Sequence, residues 1–183
     1  IADPDRVVGV ANRIKASLKQ ISRLVVVVSA MGDTTDSLVA LAQKVSRDPS
    51  GREMDLLLAS GEQVAVSALG LALLDRGIPA ISLTASQCGI RTDGVFNLAR
   101  IRSIDTRRIL KELGEGRVVI ITGFQGVSET EEITTLGRGG SDVTAAAVAS
   151  ALGASVCEIC TDVPGVSSAD PQVVGNARVW SEI

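Results

Sequence analysis

Thr134-Thr135-Leu136-Gly137-Arg138-Gly139-Gly140-Ser141-Asp142-Val143-Thr144-Ala145 sets one fixed cation and one fixed anion into a glycine loop that opens a helix. Glycines at 137, 139 and 140 let the backbone take positive φ and bring N–H groups close to a ligand without Cβ atoms in the way. Arg138 offers a planar fork that matches a carboxylate or a phosphate. Ser141 is placed to cap the helix that runs on through Ala145-Ala146-Ala147-Val148-Ala149, and Asp142 falls in its first turn, where the helix dipole favours a negative charge. Read alone, the stretch is either a site for a small charged ligand or a loop joined to a well-capped helix.

Outward from this loop, strands and helices alternate. Asp3-Pro4 is an N-cap with proline at the first helical position, and Val7, Val10, Ala11, Ile14 and Leu18 make an amphipathic helix to about Gln20. Leu24 to Val28 is a β-branched run of the kind buried on both faces of a parallel sheet. A helix follows from about Thr34 to Val45, and another covers Glu53 to Arg76. In the latter, Ser60 and Gln63 form an S-x-x-Q capping box, which predicts a seam at Ser60-Gly61 where a new helix starts and aims its N-terminus at a ligand.

Gly77 ends that helix, and Pro79 to Thr84 is a strand. Residues 85–104 are irregular, with a hairpin carrying Thr92, Asp93 and Gly94. Asp105 to Leu113 is helical, Arg117 to Thr122 is a buried strand, 123–140 is a loop with a short hairpin, Ser141 to Leu152 is a helix stopped by Gly153, and Ser155 to Cys160 is the last strand. The pattern predicts a three-layer α/β/α sandwich with a mostly parallel sheet, and ligands in such sheets sit beyond the carboxyl ends of the strands.

The 183 residues suffice for one domain with a substantial core, built from Val, Leu, Ile and Ala because aromatics are only 2%. A net charge of −3 argues against a nucleic-acid or membrane surface. No apolar run approaches the roughly 18 residues of a membrane span, and the N-terminus lacks the order of a signal peptide, so a cytoplasmic location is expected. Cys157-Glu158-Ile159-Cys160 has redox or zinc spacing but lies in the expected strand, where residues three apart face opposite ways; with no second pair and no histidine, these read as ordinary strand cysteines. No G-x-x-x-x-G-K-[ST] occurs, which excludes the P-loop route to nucleotide binding.

Thr134 to Asp142 resembles the signature of the aspartate kinases, members of the amino acid kinase fold family. In the same order, similar segments are Val27 to Asp36, Arg52-Glu53-Met54-Asp55 running into Ser60-Gly61-Glu62-Gln63, Gly123-Phe124-Gln125-Gly126, and Glu158 to Val163, so the resemblance covers nearly the whole chain. It implies ATP-dependent phosphorylation of the side-chain carboxylate of L-aspartate, the first step toward lysine, threonine and methionine, with Mg²⁺ carried by the nucleotide, no resident metal, and a homo-oligomeric full-length protein. It implies that Asp142 and Ser29 are catalytic, that Thr35, Glu62, Arg138, Gly139, Gly140 and Ser141 bind the acceptor, and that Thr161, Asp162, Ser167, Ser168, Ala169, Asp170 and Pro171 line the nucleotide pocket.

By charge type, Arg138 suits the acceptor carboxylate and Glu62 its ammonium group. Glu62 is equally readable as a first-turn acid favoured by the dipole. Against the family pattern, the chain begins beyond the strand carrying Lys-Phe/Tyr-Gly-Gly-Ser and ends before a later nucleotide-contacting lysine and the ACT domains. Ser167 and Gln172 replace a bulky residue and an arginine. The expectation is therefore one incomplete catalytic domain, residues 1–183, lacking its first strand and transferring phosphate poorly. Related acceptors such as glutamate, N-acetylglutamate or carbamate remain alternatives, as does an inactive protein that binds an amino acid without turnover.

Overall fold

A computed structural model describes residues 3–161, 168, 174–178 and 180. Its elements in chain order are α1 (Pro4–Ser17), β1 (Val25–Val28), α2 (Thr34–Val45), α3 (Arg52–Leu74), β2 (Ala80–Leu83), β3 (Ile90–Thr92), β4 (Ile101–Ile104), α4 (Arg107–Gly114), β5 (Val118–Thr122), β6 (Gln125–Val127), β7 (Ile133–Thr135) and α5 (Gly140–Leu152). Asp3 caps α1 as its sequence requires, its carboxylate accepting from the Arg6 N–H at 2.8 Å. Gly77, at φ +70°, closes α3 with a bond from Gly77 N to Leu74 O and a longer one from Ile78 N to Leu73 O.

β1, β5 and β2 form a parallel sheet in that order, with Val25 opposite Val119 and Ile81 opposite Val119 on the other side. β5 is buried along its whole length, and its side chains alternate between two cores. Val118 and Ile120 pack with Val7, Ala11, Val66, Leu69 and Leu73 of α1 and α3, whereas Val119 and Ile121 pack with Ile109, Leu113 and Val148 of α4 and α5. This is the expected three-layer arrangement. β1 is an outer strand and is half-buried except at Val28, so the both-face burial expected of it belongs to β5.

β4-β3-β6-β7 form a second sheet in which β3–β4 and β6–β7 are antiparallel and β3–β6 is parallel. The two hairpins expected in 85–104 and 123–140 thus join each other rather than the main sheet. Two further expectations are corrected. α3 is one unbroken helix: the Ser60 hydroxyl donates to Leu57 O at 2.7 Å within the helix, and no seam opens there. Residues 155–161 form no strand and are exposed; β-branched composition favours a pleated surface only where a neighbouring strand supplies ladder bonds.

With that strand absent, Cys157 and Cys160 are exposed free thiols rather than strand cysteines, while burial pushes the Cys88 thiol up to about 12. α3, at 23 residues, is also long and apolar enough to cross a membrane by length and composition, contrary to the expectation that no such stretch exists. Half of that stretch is buried against the sheet and α1, as in a core helix.

Candidate active site

Three chain crossings build one cleft. The first is the turn after β1: the Thr34 N–H bonds Met31 O at 2.9 Å, Gly32 adopts φ +47°, and α2 leaves at Thr34. α3 passes this turn closely, because a Cβ on Gly61 would lie 3.0 Å from Ala30 Cβ and 3.4 Å from Thr34 Cγ2. Gly61 is therefore a contact point between helix and turn. That contact carries Glu62 beneath the turn, where the Ala30 N–H donates to Glu62 Oε1 at 3.1 Å.

The second crossing is the end of β5. Gly123 N bonds Val28 O at 2.9 Å, keeping the two strand ends level, and Phe124 follows at φ +64°. The third is the start of α5. Gly139, at φ +73°, is its N-cap, and Thr144 ties it down: its Oγ1 accepts from the Phe124 N–H at 3.2 Å and donates to Gly140 O at 2.8 Å. Ser141 is consequently inside the first turn and caps nothing with its side chain, because the left-handed glycine already supplies the non-helical residue. Asp142 is in the first turn as expected.

The cleft holds about 490 Å³, and Ser29, Thr35, Glu62, Arg138, Gly139, Gly140, Ser141 and Asp142 all line it. Every catalytic and acceptor residue anticipated from sequence is thus brought to one place. Of the nucleotide set, Thr161 and Ser168 are exposed and do not line the cleft, while Asp162, Ser167, Ala169, Asp170 and Pro171 lie outside the described residues. The Ser168 hydroxyl accepts from the Arg178 N–H at 3.0 Å.

Among the described residues, the three charged side chains of the cleft, Glu62, Arg138 and Asp142, have unspent bonding capacity. Glu62 is 3% exposed, and its Oε2 has no hydrogen-bond partner among the described residues. Burial pushes its carboxyl up to about 6, only partly offset by the backbone bonds it accepts. Arg138 is exposed at the rim and forms no ion pair among the described residues. The N-terminus of α5 adds its positive end to the same lining, at Gly140, Ser141 and Asp142. The cleft presents a cation, the amide dipoles of a helix start and two carboxylates, Glu62 buried and Asp142 exposed.

The sequence reading missed Asn97, Phe124, Met54 and Leu58 in the lining. Asn97 had one signal, since asparagine tolerates the left-handed region it occupies at φ +65°. Phe124 and Met54 stood in segments that resemble the family pattern but carried no role there, and Leu58 had no signal, because its spacing in α3 is that of any core-facing helix.

Gly123 is the tightest joint in this frame. A Cβ there would stand 2.6 Å from Ser141 Oγ, 2.8 Å from its Cβ and 3.0 Å from its Cα, so backbone must move. Gly123→Ala is expected to push α5 off β5, lowering the melting temperature by roughly 2–10 °C and weakening acceptor and nucleotide binding together. Gly9→Ala, where a Cβ meets nothing within 4 Å, is the control and should melt no lower than wild type. Thermal melts with separate ligand titrations check both; a wild-type melt and binding in Gly123→Ala would refute the joint.

The sequence profile of the amino acid kinase family matches residues 1–183. The chain is 52% identical over 183 residues to an aspartokinase of Bacillus sp. (strain MGA3), covering 100% of this chain and 44% of that protein. Among solved structures it is similar to the aspartate kinase from Synechocystis, with TM-score 0.80 and 49% identity over 100% of this chain and 30% of that one. It is also similar to E. coli aspartokinase III in complex with aspartate and ADP, with TM-score 0.76 and 28% identity, covering 93% and 49% of the respective chains. The chain therefore spans under half the length of these three proteins.

Proposed function

The chain belongs to the amino acid kinase family, and on that premise we propose that it carries the acceptor half of an aspartate kinase site, at which ATP phosphorylates the side-chain carboxylate of L-aspartate. The observation that carries this is the meeting, in one cleft, of an arginine fork that forms no ion pair among the described residues with a buried carboxylate whose second oxygen has no partner among them. A free amino acid offers the complement, a carboxylate for Arg138 and an ammonium for Glu62. An N-acylated acceptor does not, since an amide nitrogen needs no anionic partner.

With both α-groups held, the side-chain carboxylate of the acceptor is left to face Ser29, Thr35 and the start of α5. Its oxygen attacks the γ-phosphorus of Mg²⁺-ATP; one P–O bond forms, the bond to the bridging oxygen breaks, and ADP leaves. Charge building on the transferred group is met by the α5 N-terminus and by the backbone N–H groups of Met31 and Gly32, the Ala30 N–H being taken by Glu62, with Asp142 and Ser29 ordering the reacting groups. Thr161, Asp162 and residues 167–171 are assigned to the nucleotide by their resemblance to the family pattern. The expected oligomer and a cytoplasmic location belong to the same reading.

The test is ADP formation from Mg²⁺-ATP with each candidate acceptor, the acyl phosphate being trapped by hydroxylamine. Hydroxamate that depends on L-aspartate and is not formed from N-acetyl-aspartate is the expected result. Preference for the N-acetylated acceptor, or ADP release indifferent to aspartate, would overturn the assignment.

A further inference from the structure

Asp55 is 0% exposed, lies one helical turn from the start of α3, and forms no ion pair among the described residues. Every group it binds is neutral. Its Oδ2 accepts from the Thr135 N–H at 2.8 Å and from the Asn97 N–H at 3.0 Å, and its Oδ1 accepts from the Thr135 hydroxyl at 2.7 Å and from the side-chain amide of Asn97. A carboxylate buried without a cation is expensive. A pair of neutral residues would join α3 to β7 at lower cost, so the charge needs a reason beyond joining them.

Its two partners bracket the loop of Arg138. Thr135 is the last residue of β7, from which the chain enters Leu136-Gly137-Arg138. Asn97 lies under the same loop: a Cβ on Gly137 would be 3.0 Å from Leu98 Cδ2 and 3.5 Å from Asn97 O, and the Ala99 N–H bonds Thr135 O at 2.9 Å. Asn97 is itself in the left-handed region, and its Oδ1 takes the Gly51 N–H at 3.1 Å, so its fork is committed at both ends. Both partners also line the cleft. An ionised carboxylate only accepts, so it admits one arrangement of these donors, where an amide could turn over and offer the reverse.

We infer that Asp55 is the positioning residue of the acceptor subsite: by holding Asn97 and Thr135 in one geometry, it fixes the loop on which Arg138 meets the acceptor carboxylate. The inference rests on the proposed role of Arg138. Asp55 touches no reacting atom, and its effect passes wholly through that loop.

Calorimetric titrations of the intact chain with L-aspartate and, separately, Mg²⁺-ATP test it on Asp55→Asn, Arg138→Ala and the double variant. Asp55→Asn should weaken aspartate about tenfold and leave the nucleotide within about twofold; in the Arg138→Ala background it should add less than about twofold, because the loop then has no fork to position. Thr135→Val should weaken aspartate in the same direction and Thr135→Ser should restore it, a pair that decides the matter if Asp55→Asn does not fold. Equal losses for both ligands, full additivity with Arg138→Ala, or wild-type affinity in Asp55→Asn or Thr135→Val would overturn the inference. If Arg138→Ala alone leaves aspartate affinity intact, the proposed role of Arg138 fails and the inference with it; if only Arg138→Ala has an effect, the inference fails by itself.

Discussion

Replacing Glu62 by glutamine is expected to weaken L-aspartate binding about 30-fold or more, since removing one partner of a desolvated charge pair costs on the order of 2–5 kcal/mol. Mg²⁺-ATP affinity should be unchanged, because Glu62 is assigned to the acceptor's ammonium group and touches no described residue of the proposed nucleotide set. Stability should not fall. The Glu62 carboxyl is raised from 4.5 to about 6 by burial, so between those values the folded chain holds a proton that the unfolded chain has lost. Wild-type stability therefore declines as pH rises through that window, by about 2 kcal/mol at roughly 1.4 kcal/mol per unit.

Glutamine abolishes this slope and keeps an oxygen for the Ala30 N–H, so at pH 7.5 the variant should melt no lower than wild type. Aspartate affinity of the wild type should rise as pH increases through about 6, where Glu62 ionises opposite the ligand ammonium, with Arg138 and Asp142 the other charged side chains lining the cleft. The glutamine variant should lose that dependence. Melts and aspartate titrations from pH 5 to pH 8 check all of this. A large drop in melting temperature with normal aspartate binding would return Glu62 to a structural role and remove the argument for a free amino group on the acceptor.

The second large effect is expected at Arg138, where lysine should be nearly as damaging as alanine. A planar fork closes two parallel bonds on a carboxylate, and an ammonium supplies a point charge on a flexible stem. Hydrogen bonds to charged groups are worth about 1.5–3 kcal/mol, so each variant should lose on the order of 10–100-fold in aspartate affinity. Because Arg138 is exposed and forms no ion pair among the described residues, neither change should alter the melting temperature measurably. Wild-type-like affinity in Arg138→Lys would show that only the charge is used, and the acceptor carboxylate would then need another ligand.

The sequence alone was sufficient for the order of elements and the three layers, because those depend on signals read within a few residues of each other, whereas the eight cleft residues were named through resemblance to the aspartate kinase pattern. The β-branched run at Val118 to Thr122, the Asp3-Pro4 start of α1, the glycine stop at Gly77 and the Gly139-Gly140 entry to α5 each state their own conformation. The rule that ligands sit beyond the carboxyl ends of parallel strands covers Ser29 and Thr35 after β1; Glu62 in mid-α3 and Arg138 to Asp142 after the antiparallel β7 are brought to them only by the closed fold.

Other features required the tertiary structure. The Ser60–Gln63 pattern reads locally as a capping box, yet the helix runs through it, since Gly61 is needed for contact with Ala30 and Ser60 bonds back to Leu57. Ser155 to Cys160 has strand composition, but a strand exists only through a neighbour, and composition does not name one. Asp55 looks like a surface acid in a helical first turn; its partners stand 42 and 80 residues away, at separations on which no local pattern bears. Glu62 is similar: its charge type was readable, but the burial that raises its carboxyl to about 6 and leaves one oxygen without a partner among the described residues is a property of the packing of α3 against the turn after β1. Local chemistry determines which groups are available, and only the closed fold decides which of them are desolvated and which remain unpaired.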